Sequence, residues 1–271
     1  SPDPDQVLAW DGFGGTANGF DYSGSLLPFN LPMNNEVDAL AAPGDALYHA
    51  LLLDRAALTF SVSGYPAIHV EPVAAAGGAS AAYMWASPPA IDPHGVHDVD
   101  ALELWGSNAN PKDDSLNFSI VDDPFASLST GAAAKVAVWR YDGVAASVPL
   151  IFTSDLAAAI DMQYGGPGVD GAVWSHLVEL MDLDALMSFG NEAIFSIRPI
   201  SLSLFGPGLP DFDGGEIFVY SGVGMPTSFL FHGGHLWDTA FDVALTFGLP
   251  SENVNAIEAV AIPEPSTLAL L

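Results

Sequence analysis

The sequence predicts an all-β protein built from repeated four-stranded units with short helices. Three observations lead there: a short string that occurs four times, further alternating strings that come after it in a fixed order, and stretches rich in Gly, Pro and Asp between them. The first string is Val37-Asp38-Ala39-Leu40, and it returns as Val99-Asp100-Ala101-Leu102, Leu183-Asp184-Ala185-Leu186 and Val254-Asn255-Ala256-Ile257. The second is Leu58-Thr59-Phe60-Ser61-Val62, with Leu116-Asn117-Phe118-Ser119-Ile120 and Ala193-Ile194-Phe195-Ser196-Ile197. Each alternates apolar and polar residues with period two, as a half-buried strand does. The third string is Lys135-Val136-Ala137-Val138-Trp139 and Glu216-Ile217-Phe218-Val219-Tyr220, with Tyr83-Met84-Trp85 as its shortened form. The fourth is Pro149-Leu150-Ile151-Phe152-Thr153 and Ser228-Phe229-Leu230-Phe231-His232. A short helix is expected after each fourth string, over 154–162 and 236–247. Leu40 to Ala57 is the clearest remaining helix candidate, because Leu40, Leu47, Leu51 and Leu58 share a face and Pro43-Gly44 marks its start.

Three units result, about 37–98, 99–182 and 183–257, within a β domain spanning 37–261. Residues 1–36 form an N-terminal segment, in which Val7-Leu8-Ala9-Trp10 is a strand that could join Val254 to Ala261 and close the array. Closure hides sheet edges. The expected body is therefore propeller- or prism-like with rough threefold symmetry, and a β-sandwich is the alternative.

Composition narrows the function. The 271 residues carry 33 Asp and Glu against 5 Lys and Arg, a formal charge of −28. Such a surface repels phosphate backbones and anionic lipid, which argues against a nucleic-acid partner. Half the residues are apolar, enough for a core. There is no cysteine, so disulfides and thiolate chemistry are excluded.

The C-terminal stretch Ile262-Pro263-Glu264-Pro265-Ser266-Thr267-Leu268-Ala269-Leu270-Leu271 resembles the start of a PEP-CTERM sorting signal, in which Pro263, Glu264 and Pro265 would be the defining triplet. The resemblance covers 262–271 and lacks the transmembrane helix and basic tail that come next in that family. It implies processing by an exosortase-type membrane enzyme in a Gram-negative bacterium, commonly one that makes exopolysaccharide and biofilm. Ser1-Pro2-Asp3-Pro4-Asp5 reads as the mature end left by a signal peptide. Together the ends imply an exported protein at the cell surface or in the extracellular matrix. Glu36-Val37-Asp38-Ala39-Leu40, Phe212-Asp213-Gly214-Gly215-Glu216-Ile217, Phe231-His232-Gly233-Gly234-His235 and Glu252 to Val260 also resemble uncharacterised bacterial surface proteins with the same tail, a likeness that brings no activity.

Three groups could bind metal. Asp211, Asp213 and Glu216, around Gly214-Gly215, supply the oxygen donors that calcium wants, although the same residues also suit an Asp-Gly turn into a strand. Asp38, Asp100 and Asp184 occupy equivalent places in the repeat and would need a cation if they met at an axis; alternatively each bonds local backbone amides, as Asn255 in the fourth copy can. His232 and His235, with Asp238 behind them, could chelate zinc or copper, or cap a local turn. His94 and His97 form a similar, less well spaced pair. No Gly-x-Ser-x-Gly elbow or phosphate loop is present. Glu71, Glu103, Glu179 and Glu192 cannot be paired as glycosidase acids without distances. The Trp and Tyr residues suit a core more readily than sugar stacking.

The expectation is a non-enzymatic, exported surface or matrix protein that binds divalent cations, calcium first, and through them exopolysaccharide or neighbouring cells. The alternatives are an exported glycan hydrolase using a carboxylate pair and a His-based metal-binding protein. The oligomeric state is left open.

Overall fold

The structure, a computed structural model, describes residues 7–9, 19–22, 37–41, 47–63, 65–74, 83–86, 116–120, 135–141 and 148–260. The strands are β1 (Val7–Ala9), β2 (Gly19–Tyr22), β3 (Val37–Ala41), β4 (Ala57–Val62), β5 (Tyr65–Glu71), β6 (Tyr83–Ala86), β7 (Leu116–Ile120), β8 (Val136–Tyr141) and β9 (Val148–Phe152). They continue with β10 (Leu183–Phe189), β11 (Glu192–Ile197), β12 (Ile200–Ser201), β13 (Asp211–Phe212), β14 (Phe218–Tyr220), β15 (Ser228–Phe229), β16 (Phe231–His232), β17 (His235–Leu236) and β18 (Val254–Val260). Among the described residues four short α-helices interrupt them: α1 (Tyr48–Leu52), α2 (Thr153–Gln163), α3 (Ala172–Leu180) and α4 (Val243–Phe247). The protein is β-rich, as expected.

Three antiparallel four-stranded sheets carry the fold, in the orders β3-β7-β8-β9, β10-β11-β14-β15 and β18-β4-β5-β6. Each begins with a Val-Asp-Ala-Leu-type strand and continues with a Phe-Ser strand. The register is the same in all three: Ala39 faces Ser119, Ala185 faces Ser196 and Ala256 faces Ser61, while Leu40, Leu186 and Ile257 face Phe118, Phe195 and Phe60. In each the register shifts at the second residue of the string, at Asp38, Asp184 or Asn255. A bulge there breaks the two-residue alternation and re-aims the residues after it.

Sheet membership does not track chain order. β3 pairs with β7, not with the β4 that comes next, and β4 takes the C-terminal β18 as its partner. The last described strand thus completes the sheet of β4, β5 and β6. The N-terminal strand does not take part: β1 pairs with β2 in a separate two-stranded sheet. No sheet among the described residues closes on itself. The third and fourth strings fall at the third and fourth places, as β8 and β14 and as β9 and β15. Tyr83 to Trp85 lies in the fourth place instead, and β5 holds the third.

The core has two parts, one on each side of the β10-β11 sheet. Leu183, Leu186, Ala193, Phe195 and Ile197 pack with Val138, Ile151 and the apolar faces of α2 and α3. Ala185, Met187 and Ile194 pack with Leu58, Phe60, Trp237 and Ile257 on the other. Each fully buried Leu or Phe contributes about 1.5–3 kcal/mol of hydrophobic stabilisation. Half-buried strands were expected, yet β4, β11 and β18 are buried on both faces along almost their whole length. Their polar positions therefore lie inside and must find partners. Thr59 Oγ1 donates to the Glu258 carbonyl at 2.8 Å, and Ser196 Oγ donates to the Val254 carbonyl at 2.6 Å. The second of these bonds links two sheets at the bulge of β18.

The helices correct two expectations. Helix α1 spans only Tyr48–Leu52, because Leu40 and Ala41 belong to β3 and Leu58 to β4. The shared spacing of the leucines reflects three elements, not one. At 236–247, Leu236 is in β17 and the helix begins only at Val243, where the Asp242 side chain accepts from Leu245 N at 2.5 Å. Helix α2 matches the expected 154–162 closely, and its run of alanines suits a helix. Helix α3 comes next, and Asp161 of α2 accepts from Val173 N and Trp174 N in its first turn.

Replacing Ser196 with Ala leaves the Val254 carbonyl without that donor in a buried place. The expected loss is about 1–3 kcal/mol, read as a lower denaturation midpoint at unchanged slope.

Candidate functional site

The chemically richest place is where the hairpin of β16 and β17 meets the ends of α1 and β5. Its turn is His232-Gly233-Gly234-His235, with His232 opposite His235. Both glycines have positive φ, 64° and 89°, as a two-residue hairpin turn of the primed kind requires. Gly233 serves a second purpose. A Cβ there would overlap the Glu71 carboxylate, so only glycine lets the backbone lie against that group. Leading into β4, Asp54 takes a positive φ of 52° and brings its carboxylate toward Gly233 N, at 3.4 Å.

His232 is fully buried and uses both ring nitrogens. Nδ1 is 2.9 Å from Glu71 Oε2, and Nε2 is 2.8 Å from the Ala56 carbonyl. A carbonyl only accepts, so Nε2 carries a hydrogen. Asp54 Oδ1 stands 3.6 Å from Nε2. Glu71, at the end of β5, is also fully buried; burial raises its pKa, and His232, followed by the nearby Trp237 indole, opposes that shift. The other carboxylate oxygen, Oε1, is 3.3 Å from His235 Nε2. These two atoms do not bond each other with good geometry, and the Trp237 indole also hydrogen-bonds the Glu71 carboxylate.

His235 is held by aromatic rings. It stacks on Phe241 with centroids 3.9 Å apart and planes 17° from parallel, with Trp237 and Phe247 around it. Burial lowers its pKa to about 4, with His232 adding to the effect and Asp54 opposing it. The imidazole is therefore neutral at physiological pH.

The structure brings His232 and His235 together but gives His232 no nitrogen free for a metal. Among the described residues, no three His, Asp or Glu side chains are grouped to hold a metal ion. The Asp211, Asp213 and Glu216 oxygens are directed to other partners. Exposed Asp211 accepts from Ser203 N and Oγ, which hold its pKa down. Asp213 accepts from Gly215 N at 2.9 Å. Glu216 turns inward and accepts from Asp213 N and Gly214 N. The loop also receives β18, since Val254 N donates to the Gly214 carbonyl at 2.8 Å. It therefore has the turn geometry weighed against calcium.

Asp184 sits buried at its bulge with Arg198 Nε 2.9 Å away, and Asp182 takes the same guanidinium at 3.4 Å. Asn255, at the matching bulge, accepts from Asn253 Nδ2. Asp38 holds the same register position on β3. Asp100, His94, His97, Glu103, Pro263, Glu264 and Pro265 lie outside the described residues. Glu179 is exposed on α3, while Glu192 lies 3.8 Å from His49 near the surface. Trp139, Trp237 and Tyr220 are buried, in keeping with the core reading of the aromatics.

Sequence reasoning missed Asp54 and Ala56, and it named Glu71 only among possible acids. No local pattern ties Glu71 to a histidine 161 residues further along. The Gly-Gly spacing between two histidines was the one legible sign of the site.

Comparison with protein-family models, with curated proteins and with solved structures finds no match to this chain.

Glu216 supplies a test by pH. Its pKa is pushed up from 4.5 to about 7, mainly by burial and then by Asp213 beside it, against the backbone amides. The folded protein thus holds this proton more tightly than the unfolded chain. Its contribution to stability is full below the unfolded value and is lost as pH rises through the folded one. Over that window the loss is on the order of 3 kcal/mol. The difference between wild type and Glu216→Gln in denaturation free energy against pH isolates this slope, and parallel profiles would contradict it.

Proposed function

We propose that this chain is an exported, non-enzymatic protein of the bacterial surface or matrix, whose outward carboxylates bind divalent cations, calcium first, and through them acidic exopolysaccharide. The observation that carries the reading is how the few positive charges are spent. The Lys or Arg ion pairs seen between described residues are those of Arg198 with the buried Asp182 and Asp184. Lys135 Nζ donates to the Met181 carbonyl at 2.8 Å. Meanwhile Asp170, Glu179, Asp211 and Asp242 are exposed. With 33 carboxylates and 5 Lys and Arg in the chain, neutralisation must come largely from outside. Hard divalent cations with oxygen ligands suit exposed carboxylates, and they can bridge them to uronate-type sugars.

The address rests on Pro263-Glu264-Pro265 and the apolar residues after it. On this reading an exosortase-type enzyme is the processing partner in a Gram-negative host. No helix among the described residues is long and apolar enough to cross a membrane. We further read the three sheets as a prism-like group with rough threefold symmetry. The repeated register and bulge support that reading, as does the packing of β10 against both β3 and β18.

Calcium should raise the melting temperature by several degrees and a chelator should reverse it, because a ligand that binds only the folded state stabilises it. Retention on an acidic polysaccharide matrix should require calcium and fall with added salt. An unchanged melt together with calcium-independent retention would overturn the reading.

A further inference from the structure

We propose that the tip made by Leu204 and Phe205, together with the adjoining edge of α3, is a docking surface for a basic amphipathic helix of a partner protein. The proposal goes beyond calcium bridging and does not rest on it: here the partner's own Lys or Arg side chains supply the positive charge.

The first observation is an apolar tip that faces solvent and is nevertheless held in place. Leu204 is 82% exposed and Phe205 is 55% exposed. They close a single 3₁₀ turn, Leu202–Leu204, and Leu202 at its start is fully buried in the core. The Phe205 amide donates to the Leu202 carbonyl at 2.9 Å, and Ser203 donates to Asp211 through both N and Oγ. The Phe205 ring lies on His176 of α3, with centroids 4.5 Å apart and planes 22° from parallel. An anchor fixed in this way loses little freedom on binding. Leu180, 43% exposed, stands about one helical turn beyond His176 on the same side of α3 and extends the apolar surface. Single apolar residues scattered over a surface are ordinary, whereas adjoining ones on a rigid support suit a contact site.

The second observation is the charge around the tip. Glu179 adjoins Leu180, and Asp211 adjoins the turn through Ser203. Both carboxylates are exposed, and neither has a Lys or Arg ion pair among the described residues. Lys135 and Arg198 reach the residues just after α3, but they are already engaged by the Met181 carbonyl and by Asp182 and Asp184. An apolar centre edged by carboxylates, on a chain of charge −28, repels a second copy of itself and also acidic lipid or calcium-free acidic glycan. It complements a helix that carries an apolar stripe with Lys or Arg beside it, which is how amphipathic helices dock. Phe205 is the central anchor, and the carboxylates set orientation and on-rate.

The test uses the full chain with a chelator present, so that no calcium bridges form, in roughly 0.15 M salt. The probe is a fluorescently labelled Leu/Lys peptide of helical periodicity, followed by anisotropy. It should bind saturably, one peptide to one chain, and a Leu/Glu peptide of the same pattern should not bind. Leu204→Ser combined with Phe205→Ser changes mostly exposed side chains; it should keep the melting temperature and weaken binding by about tenfold or more, as loss of an anchor does. Glu179→Lys leaves the turn intact and should also weaken binding and flatten its salt dependence. Leu245→Ser, at an equally exposed place on α4, should leave binding unchanged. Absence of saturable binding by the wild type would overturn the proposal. So would binding that survives either the double substitution or Glu179→Lys unchanged, the mark of diffuse attraction to an acidic surface. Retention of the chain on phosphatidylcholine vesicles, or on an acidic polysaccharide without calcium, that is lost in the double variant would assign the tip to lipid or glycan and overturn it too.

Discussion

A paired strand motif holds this protein together. A Val-Asp-Ala-Leu-type strand lies against a Phe-Ser strand, with a bulge at the polar second residue, and the arrangement occurs in each four-stranded sheet. The bulge controls which core each side chain joins. In β10 it lets Leu183 and Leu186 serve one part of the core while Ala185 and Met187 serve the other. The sheet is then buried on both faces, and polar residues that an alternating strand would offer to water lie inside. They are satisfied by bonds such as that of Ser196 to the Val254 carbonyl, which fasten one sheet to the next.

The order of pairing matters as much as its geometry. Because β18 completes the sheet of β4, β5 and β6, the last described strand secures the early part of the chain. His232 adds a second tie over a similar span, through Ala56 and Glu71. Both contacts close long loops, so their entropic cost is met only when much of the fold is already formed.

The local strings were legible because they rest on alternation and repetition, and the register of Ala against Ser and of Leu or Ile against Phe gives them structural meaning. Helix α2 was legible for the same kind of reason, a run of Ala and Leu behind a strand. Helix α3 was not foreseen: its stretch lies among Gly165, Gly166, Pro167, Gly168 and Gly171, and its first turn is completed by Asp161 from another helix. The pairing of β3 with β7 and of β4 with β18 could not be read either, since every Phe-Ser string offers much the same surface to every Val-Asp-Ala-Leu string. At the candidate site the histidine hairpin was visible, and its turn needs the two glycines. Its partner Glu71 was not distinguishable, because what sets it apart is burial beside a distant residue.

Interior and surface carboxylates therefore obey different rules. Inside, Asp161, Asp184 and Glu216 are matched to amides or to a guanidinium; among the exposed described residues, Asp170, Glu179, Asp211 and Asp242 have no Lys or Arg ion pair. The account depends most on the paired motif acting as one cooperative unit that joins the early and late chain. Native-state hydrogen exchange measures this directly. The account predicts that amides of β18 and β4 exchange only with global unfolding, together with those of β10 and β11. Exchange of β18 at a much lower opening free energy than β10 would contradict it.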